Sequence, residues 1–202
     1  HDALPICLDR NTLMKKYLRL PSLLFINLFV ALSLLGCSTH YPNQAAQGSV
    51  FPTIEGESLE KQLVNIPNDF DGKPALLLIG YKQDSQFDID RWLIALDMTN
   101  TQVDVYEIPT IAGMFPRMFR TVIDNGMRAG IPKSLWKGVI TVYSDGALVQ
   151  EYTGNDNPNN TRVVLLNKNG QVEYFYDQGF AVSALNELRD TLSQLNAAAS
   201  IE

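Results

Sequence analysis

Continuous apolar runs and evenly spaced apolar residues divide the chain after residue 49 into predicted strands and helices. Residues 74–81 read PALLLIGY, a run that is typical of a strand buried on both faces. Residues 84–99 carry apolar side chains at near-helical spacing, and Asp84 or Ser85 can cap the start of that helix. Residues 102–108 alternate with period two, so the pattern predicts a strand, a helix and a strand. The apolar positions of the helix are Phe87, Ile89, Trp92, Leu93 and Leu96.

The second half of the chain predicts another helix, a third strand and an antiparallel hairpin. Residues 115–127 are predicted to be helical, and residues 138–143 are predicted to form a strand. Two further apolar segments, 162–166 and 171–176, flank Asn169-Gly170, a dipeptide that favours a tight hairpin turn. The last predicted helix has an apolar stripe that consists of Val182, Leu185, Leu188, Leu192 and Leu195.

The order of these elements predicts one mixed sheet. The strands within residues 75–81, 103–108 and 139–143 should be parallel neighbours, because helical segments connect them. Residues 162–166 should run antiparallel to them. Asp145-Gly146 leaves two alternatives open, since its turn chemistry favours a hairpin while the overall pattern would accept a short helix.

The charge balance excludes some partners. The chain has 16 Lys and Arg and 22 Asp and Glu, a formal net charge of −6. Four of the basic and two of the acidic residues precede Cys37, so 12 basic and 20 acidic residues remain from Cys37 onward. We expect no nucleic-acid partner, because an acidic surface repels phosphates. The 202 residues, 46% of them hydrophobic, fit one globular domain.

Residues 14–37 have the parts of an export signal. Residues 14–19 (MKKYLR) are positively charged, and residues 20–35 form an apolar stretch of signal-peptide length. The stretch ends in Leu34-Leu35-Gly36-Cys37, which resembles the lipobox of bacterial lipoproteins. This resemblance implies that Cys37 receives a diacylglycerol, that cleavage follows before it, and that the new amino terminus is acylated. The alternative is an uncleaved anchor helix with an incidental cysteine.

The lipobox implies a division of the chain into segments. Residues 1–13 precede Met14, resemble a translated sequencing adapter and are expected to be an upstream artefact. Ser38, rather than Asp, follows Cys37, which by resemblance to enterobacterial lipoproteins favours the outer membrane of a Gram-negative cell, facing the periplasm. The membrane is therefore an expected partner. The remaining segments are a signal peptide (14–36), a flexible lipidated tether (37–49), a folded domain (50–196) and a tail (197–202).

The order of the predicted elements resembles the thioredoxin-like superfamily. Residues 163–172, followed by Gln178-Gly179, are similar to the hairpin that precedes the last helix of peroxiredoxins. Residues 63–74 resemble the edge hairpin before the first core strand. Residues 106–132 resemble, within the superfamily, the thioredoxin-like assembly factor of mitochondrial ATP synthase. The resemblance implies an α/β domain with a central mixed sheet flanked by helices.

Two departures from the superfamily pattern determine the expected chemistry. Redox members carry cysteine between the first core strand and its helix, where the helix dipole lowers the thiol pKa. Residues 81–87 contain no sulfur here, and Asn160 stands where the superfamily has a cis-proline before the hairpin strand. The two cysteines are Cys7 and Cys37, both in the front segment. Thiol exchange, peroxide reduction and copper delivery through paired cysteines are therefore not expected.

Few side chains remain for other chemistry. His40 is the single histidine after Cys37, so we expect no catalytic triad, no metal site and no cofactor. Asp84, Asp88 and Asp90 cluster at a predicted helix start, where capping and the helix dipole explain them most simply.

The arginines suggest a second hypothesis. Arg117, Arg120 and Arg128 lie in one short segment of an acidic chain and could hold an anionic ligand. A surface ion pair between Arg120 and Asp124, four residues apart on a helix, is the simpler alternative.

The sequence therefore predicts a non-catalytic binding or assembly module with a protein partner that the sequence does not identify. The alternative is an enzyme that uses carboxylates or arginines in the crevice that holds the redox site of the superfamily. Cys37 is the predicted lipidation site. The candidate binding residues are Tyr81, Lys82, Asp84, Ser85, Arg117 and Arg128.

Overall fold

The fold is given by a computed structural model, which describes residues 39–44, 46–70, 72–113 and 118–199. The predicted signal peptide, Cys37 and Arg117 lie outside these ranges. No helix within the described ranges is long and apolar enough to cross a membrane.

Strands and helices alternate along most of the described chain. The strands are β1 (Ile54–Ser58), β2 (Leu63–Ile66), β3 (Ala75–Gly80), β4 (Asp104–Pro109), β5 (Ile140–Thr141), β6 (Arg162–Leu166) and β7 (Val172–Tyr176). The α-helices are α1 (Gln86–Met98), α2 (Arg120–Gly130), α3 (Gly146–Thr153) and α4 (Val182–Ala199). Short 3-10 helices occupy Gln83–Ser85 and Lys133–Gly138.

The central sheet has the strand order β4-β3-β6-β7. Strand β3 pairs parallel with β4 and antiparallel with β6, which confirms the predicted directions of these three strands. Strands β6 and β7 form the predicted hairpin. Gly170 has φ +74°, a conformation that suits glycine in the turn between them.

The prediction for residues 139–143 is wrong in part. Only Ile140 and Thr141 form a regular strand, and this β5 pairs antiparallel with β1 in a second sheet of order β2-β1-β5. Isolated parallel bridges still join Val139 to Glu107 and Val142 to Thr110, so the segment does lie beside β4. Pro109 interrupts a longer ladder, because proline has no backbone N–H to donate.

The apolar core lies on both faces of the central sheet. Alternate residues of β3 point to opposite faces, so Leu77 and Ile79 pack on the side of β1, β5 and α3, where Val149 lies. Leu76 and Leu78 pack on the side of α1 and α4, against buried Trp92 and others. The helix stripes are confirmed except at their ends, where Phe87 is 70% and Val182 65% exposed.

The ambiguity at Asp145-Gly146 is settled in favour of the helix. Residues Gly146–Thr153 form α3, and a Cβ at Gly146 would lie 3.0 Å from the backbone of Ile111, so glycine permits this close approach. The Asp145 carboxylate accepts a hydrogen bond from the Glu55 amide at 2.8 Å. Asp145 therefore fixes the start of α3 to β1 instead of turning the chain into a hairpin.

Candidate functional site at the carboxyl end of the central sheet

The loop between β3 and α1 occupies the place of the predicted crevice. Lys82 and Asp84 are exposed, whereas Ser85 is buried. The Ser85 hydroxyl donates to the Lys82 carbonyl at 2.6 Å, and it lies where a side chain on Gly80 would be. The loop is thus closed on itself by a hydroxyl, and glycine at position 80 is required to make room for it.

The predicted capping of α1 is wrong. Ser85 is the residue before the helix, but it has helical φ and ψ of −65° and −17°, and its side chain makes no capping hydrogen bond. Because of the preceding 3-10 helix, the Ser85 hydroxyl points back toward Lys82. Asp84 lies inside that turn and is exposed, so the structure gives it no capping role either.

Tyr81, one of the predicted site residues, packs against a buried arginine. The guanidinium carbon of Arg162 lies 4.8 Å from the centre of the Tyr81 ring, and Arg162 itself is 0% exposed. The Tyr81 hydroxyl shares a short hydrogen bond with the Thr153 hydroxyl and donates to the Val149 carbonyl at 3.3 Å. Burial raises the pKa of Tyr81 to about 12, so the phenol stays neutral at physiological pH.

Arg162 holds the loop before β6. Its Nη1 donates to the carbonyls of Asn157 and Asn160 at 2.6 and 2.9 Å, and its Nη2 donates to the Asn43 Oδ1 at 3.4 Å. Burial lowers the pKa of Arg162, while the nearby phenol of Tyr81 and the carboxylate of Asp177 act in the opposite direction. Among the described residues, the hydrogen bonds of Arg162 go to carbonyl and amide oxygens. The guanidinium is therefore a structural cation, enclosed by the domain and inaccessible to a ligand in this conformation.

Residues 40–44, which we call the strap, close the site from outside. The backbone N–H of Tyr41 donates to Asn155 Oδ1 at 2.8 Å, and the backbone N–H of Asn155 donates to the Tyr41 carbonyl at 2.8 Å. Asn43 and Asp156 form a similar pair, in which the backbone N–H of each residue donates to a side-chain oxygen of the other at 3.0 Å. The hydrogen bond from the Asn43 amide lowers the pKa of Asp156.

The segment predicted to be a flexible tether, residues 37–49, thus contacts the domain from the strap onward. His40, in the same segment, contacts the Asp156 carboxylate. Further along, the Gly48 amide donates to the Val172 carbonyl at 2.7 Å, which adds the segment to the edge of β7. The polar composition of this segment suggested flexibility, because it does not reveal the backbone and side-chain hydrogen bonds that hold the segment on the domain.

The aspartates predicted to cluster at α1 separate into different roles. Asp88 is buried, and its two carboxylate oxygens accept hydrogen bonds from the amides of Thr161 (2.9 Å) and Phe180 (2.7 Å). Asp90 is exposed and accepts from the Gln86 side chain at 2.9 Å. Asp88 thus joins the loops before β6 and α4 to α1, while Asp90 lies on the exposed side of the same helix.

The predicted arginine site is not assembled by the residues that the structure describes. Arg128 Nε donates to the Leu59 carbonyl at 2.7 Å, and Arg120 pairs with Glu57. The ion pair that was the simpler alternative, between Arg120 and Asp124, does not form, because Arg120 pairs with Glu57 instead. Asp124 is buried and accepts a 2.8 Å hydrogen bond from the Tyr143 hydroxyl. Burial and this carboxylate raise the pKa of Tyr143.

Two pockets of the described surface, of about 310 Å³ and about 200 Å³, lie near the amino ends of β3 and β4. No group of three metal-binding side chains occurs within the described ranges. The first pocket is lined by Lys73, Pro74, Gln102, Val103, Asp104, Leu192 and Asn196.

Sequence reasoning missed the residue at the centre of this site. Arg162 opens a strand whose other members, VVLL, are entirely apolar and buried. A single cationic residue at the first position of a buried strand could have indicated this site, because a buried charge requires hydrogen-bond acceptors nearby. The Asn-rich loop at residues 155–160 supplies them.

Comparisons with known proteins identify the fold. No protein-family model and no curated protein match the sequence. A SCO1/SenC family lipoprotein from Bacillus anthracis matches in structure with a TM-score of 0.52 and 9% identity, over 74% of this chain and 96% of that chain. A protein assigned as a protein disulfide isomerase from Bacteroides thetaiotaomicron matches with a TM-score of 0.50 and 12% identity, over 78% and 94%.

A third solved structure is the thioredoxin domain of a thiol-disulfide oxidoreductase from Bacteroides vulgatus. It has a TM-score of 0.47 and 19% identity, and the match covers 74% of this chain and 99% of that domain. The domain described here has the predicted thioredoxin-like α/β fold, with sheets flanked by helices.

Proposed function

We propose that this chain is a lipoprotein of the bacterial envelope whose thioredoxin-like domain is a binding or assembly module without redox activity. The observation that carries the proposal is the closed loop at residues 81–86. Ser85 fills the space over Gly80, and Tyr81 is fixed between Arg162 and Thr153. Thiol exchange needs an accessible thiolate at this helix start, and residues 38–202 contain no cysteine.

The proposed anchor is a diacylglycerol on Cys37. The lipobox-like Leu34-Leu35-Gly36-Cys37 supports it, and one of the structural neighbours is itself a lipoprotein. Ser38 favours the periplasmic face of the outer membrane of a Gram-negative cell. The proposed partners are thus the membrane, through the lipid, and an envelope protein, while the acidic charge argues against nucleic acid.

Replacing Cys37 with Ser should leave an unprocessed precursor that no longer incorporates labelled palmitate, because the thiol is the proposed acceptor of the lipid. Metabolic labelling and gel mobility measure the two effects. Cys7→Ser is the matched control and should be labelled and processed like the unsubstituted chain. A Cys37→Ser chain that is still labelled and cleaved would refute the anchor.

The second candidate function is an enzyme that uses arginine or carboxylate chemistry in the crevice. Arg162 is the observation that favours it, since a buried guanidinium beside a phenol could bind a carboxylate or phosphate once the strap moved away. In the described conformation, Asn43, Asn157 and Asn160 already accept hydrogen bonds from both Nη atoms. The closed site therefore supports the binding module better than the enzyme.

A further inference from the structure

The strap limits the distance between the folded domain and residue 37. His40, the first residue of the strap, contacts Asp156, and two residues separate it from Cys37 in the sequence. Three residues of fully extended chain span at most about 11 Å, whereas an undocked tether up to residue 49 could span about 43 Å. The hydrogen bonds of the strap therefore hold the domain close to the proposed lipid.

The strap lies at the carboxyl end of β3. Its Asn43 accepts a hydrogen bond from Arg162, and Arg162 pairs with Ile79 near the end of that strand. The loops that follow β3 and β7 and the loop that precedes β6 meet at this end, because β6 is antiparallel to both neighbours. We call this surface the strap end. It consists of the strap and residues 81–85, 154–161 and 177–181.

Two exposed apolar side chains adjoin the strap end. Phe87 is 70% exposed in the first turn of α1, and Val182 is 65% exposed in the first turn of α4. Both helices begin at this end, since α1 follows β3 and α4 follows β7. Asp88 joins the two helix starts, because its carboxylate accepts a hydrogen bond from the Phe180 amide at 2.7 Å. The two positions that depart from the buried stripes therefore lie at one end of the domain.

The charge of the strap end is nearly balanced. Its loops expose one cation, Lys82, and two carboxylates, Asp84 and Asp156, and His40 contacts the second of these. The chain from Cys37 onward has 12 basic and 20 acidic residues, so most of the acidic excess lies elsewhere. The strap end can therefore approach anionic headgroups with less repulsion than the net charge of the chain suggests.

We propose that the strap end is the membrane-facing surface of the domain, where Phe87 and Val182 contact the lipid headgroups. This orientation rests on the proposed attachment of the chain to the membrane at residue 37. A span of at most about 11 Å brings the strap end to the headgroup layer, which extends about 5–8 Å beyond the hydrocarbon. Exposed apolar side chains enter this boundary favourably and add to the binding by a lipid.

The orientation distinguishes the two ends of the central sheet. The loop at residues 81–85, which corresponds to the redox crevice of the superfamily, faces the bilayer. The turn at Asn169-Gly170 lies at the other end, because Leu166 pairs with Ala75 at the start of β3. A protein partner in the periplasm therefore reaches that end more readily than the crevice.

Fluorescence quenching by spin-labelled lipid tests the orientation. The full chain is purified from the membranes of a Gram-negative host and reconstituted into vesicles of phosphatidylethanolamine and phosphatidylglycerol. One variant carries Phe87→Cys and the matched variant Met98→Cys, each labelled with the same thiol-reactive fluorophore. Met98 is 77% exposed on the same helix, about 17 Å farther from the strap end. The label at position 87 should be quenched at least about threefold more strongly, because it lies at the bilayer. The unsubstituted chain, treated alike, measures labelling of Cys7 or Cys37.

Gly154→Ala, added to both labelled forms, tests the role of the strap. A Cβ at Gly154 would lie 2.7 Å from the Asn43 nitrogen, so the strap must leave the domain. The difference in quenching between the two positions should then fall at least about twofold, because the longer tether lets the domain reorient. Gly48→Ala, whose Cβ would meet no atom within 4 Å, should retain the difference. Circular dichroism checks that both variants are folded.

Several results would overturn the orientation. These are equal quenching at both positions, stronger quenching at position 98, and protection of position 87 from iodide without quenching by the lipid, which would indicate a protein cover. An unchanged difference in Gly154→Ala would overturn the strap as its cause. Loss of palmitate labelling with the quenching pattern retained would instead overturn the lipid on Cys37, since an uncleaved anchor helix also holds residue 37 at the membrane. Recovery of the chain in the soluble fraction would overturn both.

Discussion

Replacing Asp88 with Ala should lower the free energy of unfolding by about 2–4 kcal/mol, the largest loss that we expect from a single side chain of this site. Both carboxylate oxygens accept backbone hydrogen bonds, at 2.9 Å from Thr161 and 2.7 Å from Phe180. Thr161 is fully buried, so its amide would lose its acceptor without gaining water. Denaturation in urea, followed by circular dichroism, measures the loss.

Asp90→Ala is the matched control for this substitution. Asp90 lies on the same helix but is exposed and accepts from the Gln86 side chain. Its removal should change the free energy of unfolding by no more than about 0.5 kcal/mol. Equal losses in the two variants would show that the Asp88 carboxylate does not hold the loops before β6 and α4.

Gly154→Ala should lower the free energy of unfolding by about 2–3 kcal/mol and detach the strap from the domain. Gly154 has φ +78° and ψ 163°, a region that only glycine occupies readily. A Cβ there would also lie 2.7 Å from the Asn43 nitrogen, closer than two such atoms can approach. The strap must therefore move, which breaks the paired hydrogen bonds between Asn43 and Asp156.

Gly48→Ala is the control that shows backbone strain without a steric clash, so the difference between the two variants measures the clash with the strap. Gly48 has φ +84°, but a Cβ there would meet nothing within 4 Å, so only backbone strain of about 1–2 kcal/mol is expected. Limited proteolysis near Tyr41 should be accelerated in the Gly154 variant and much less in the Gly48 variant. If both variants lose the same stability and resist protease equally, the strap does not depend on the contact with Gly154.

Hydrophobic pattern was sufficient to predict the centre of the fold. Strands β3 and β6 are continuous apolar runs because both of their faces are covered. Their lengths of six and five residues favour a strand over a buried helix. The turn at Asn169-Gly170 was predicted from local chemistry alone, since few other dipeptides favour that conformation. These features depend on short stretches of sequence and on burial.

The second sheet could not be predicted in the same way. Strand β1 reads IEGES, with two acidic residues and a glycine among its five positions. Gly56 is needed there because the side chains of Ile140 and Val142 occupy the space over it. Strand β5 has two residues and pairs with a strand far away in sequence. Such pairings depend on tertiary contacts that propensity does not encode.

Of the predicted site residues, Tyr81 is the one that the structure places against the enclosed Arg162. The sequence places its loop between an apolar strand and a helix, and the absence of cysteine can be read directly. The contacts of Arg162 with Tyr81 and Asn43 join residues separated by 81 and 119 positions. No periodic pattern connects positions so far apart, so the enclosure of Arg162 and the docking of the strap could not be predicted from the sequence.

The central claim is that this thioredoxin-like domain does not carry out thiol redox chemistry. The most direct test is turnover by the purified chain beginning at Ser38, which contains no cysteine, in insulin reduction and in peroxide consumption. A thioredoxin and a thiol peroxidase serve as positive controls under the same conditions. We predict rates equal to those without protein, because no side chain of residues 81–86 can form a mixed disulfide. Turnover of either substrate above that background would contradict the account.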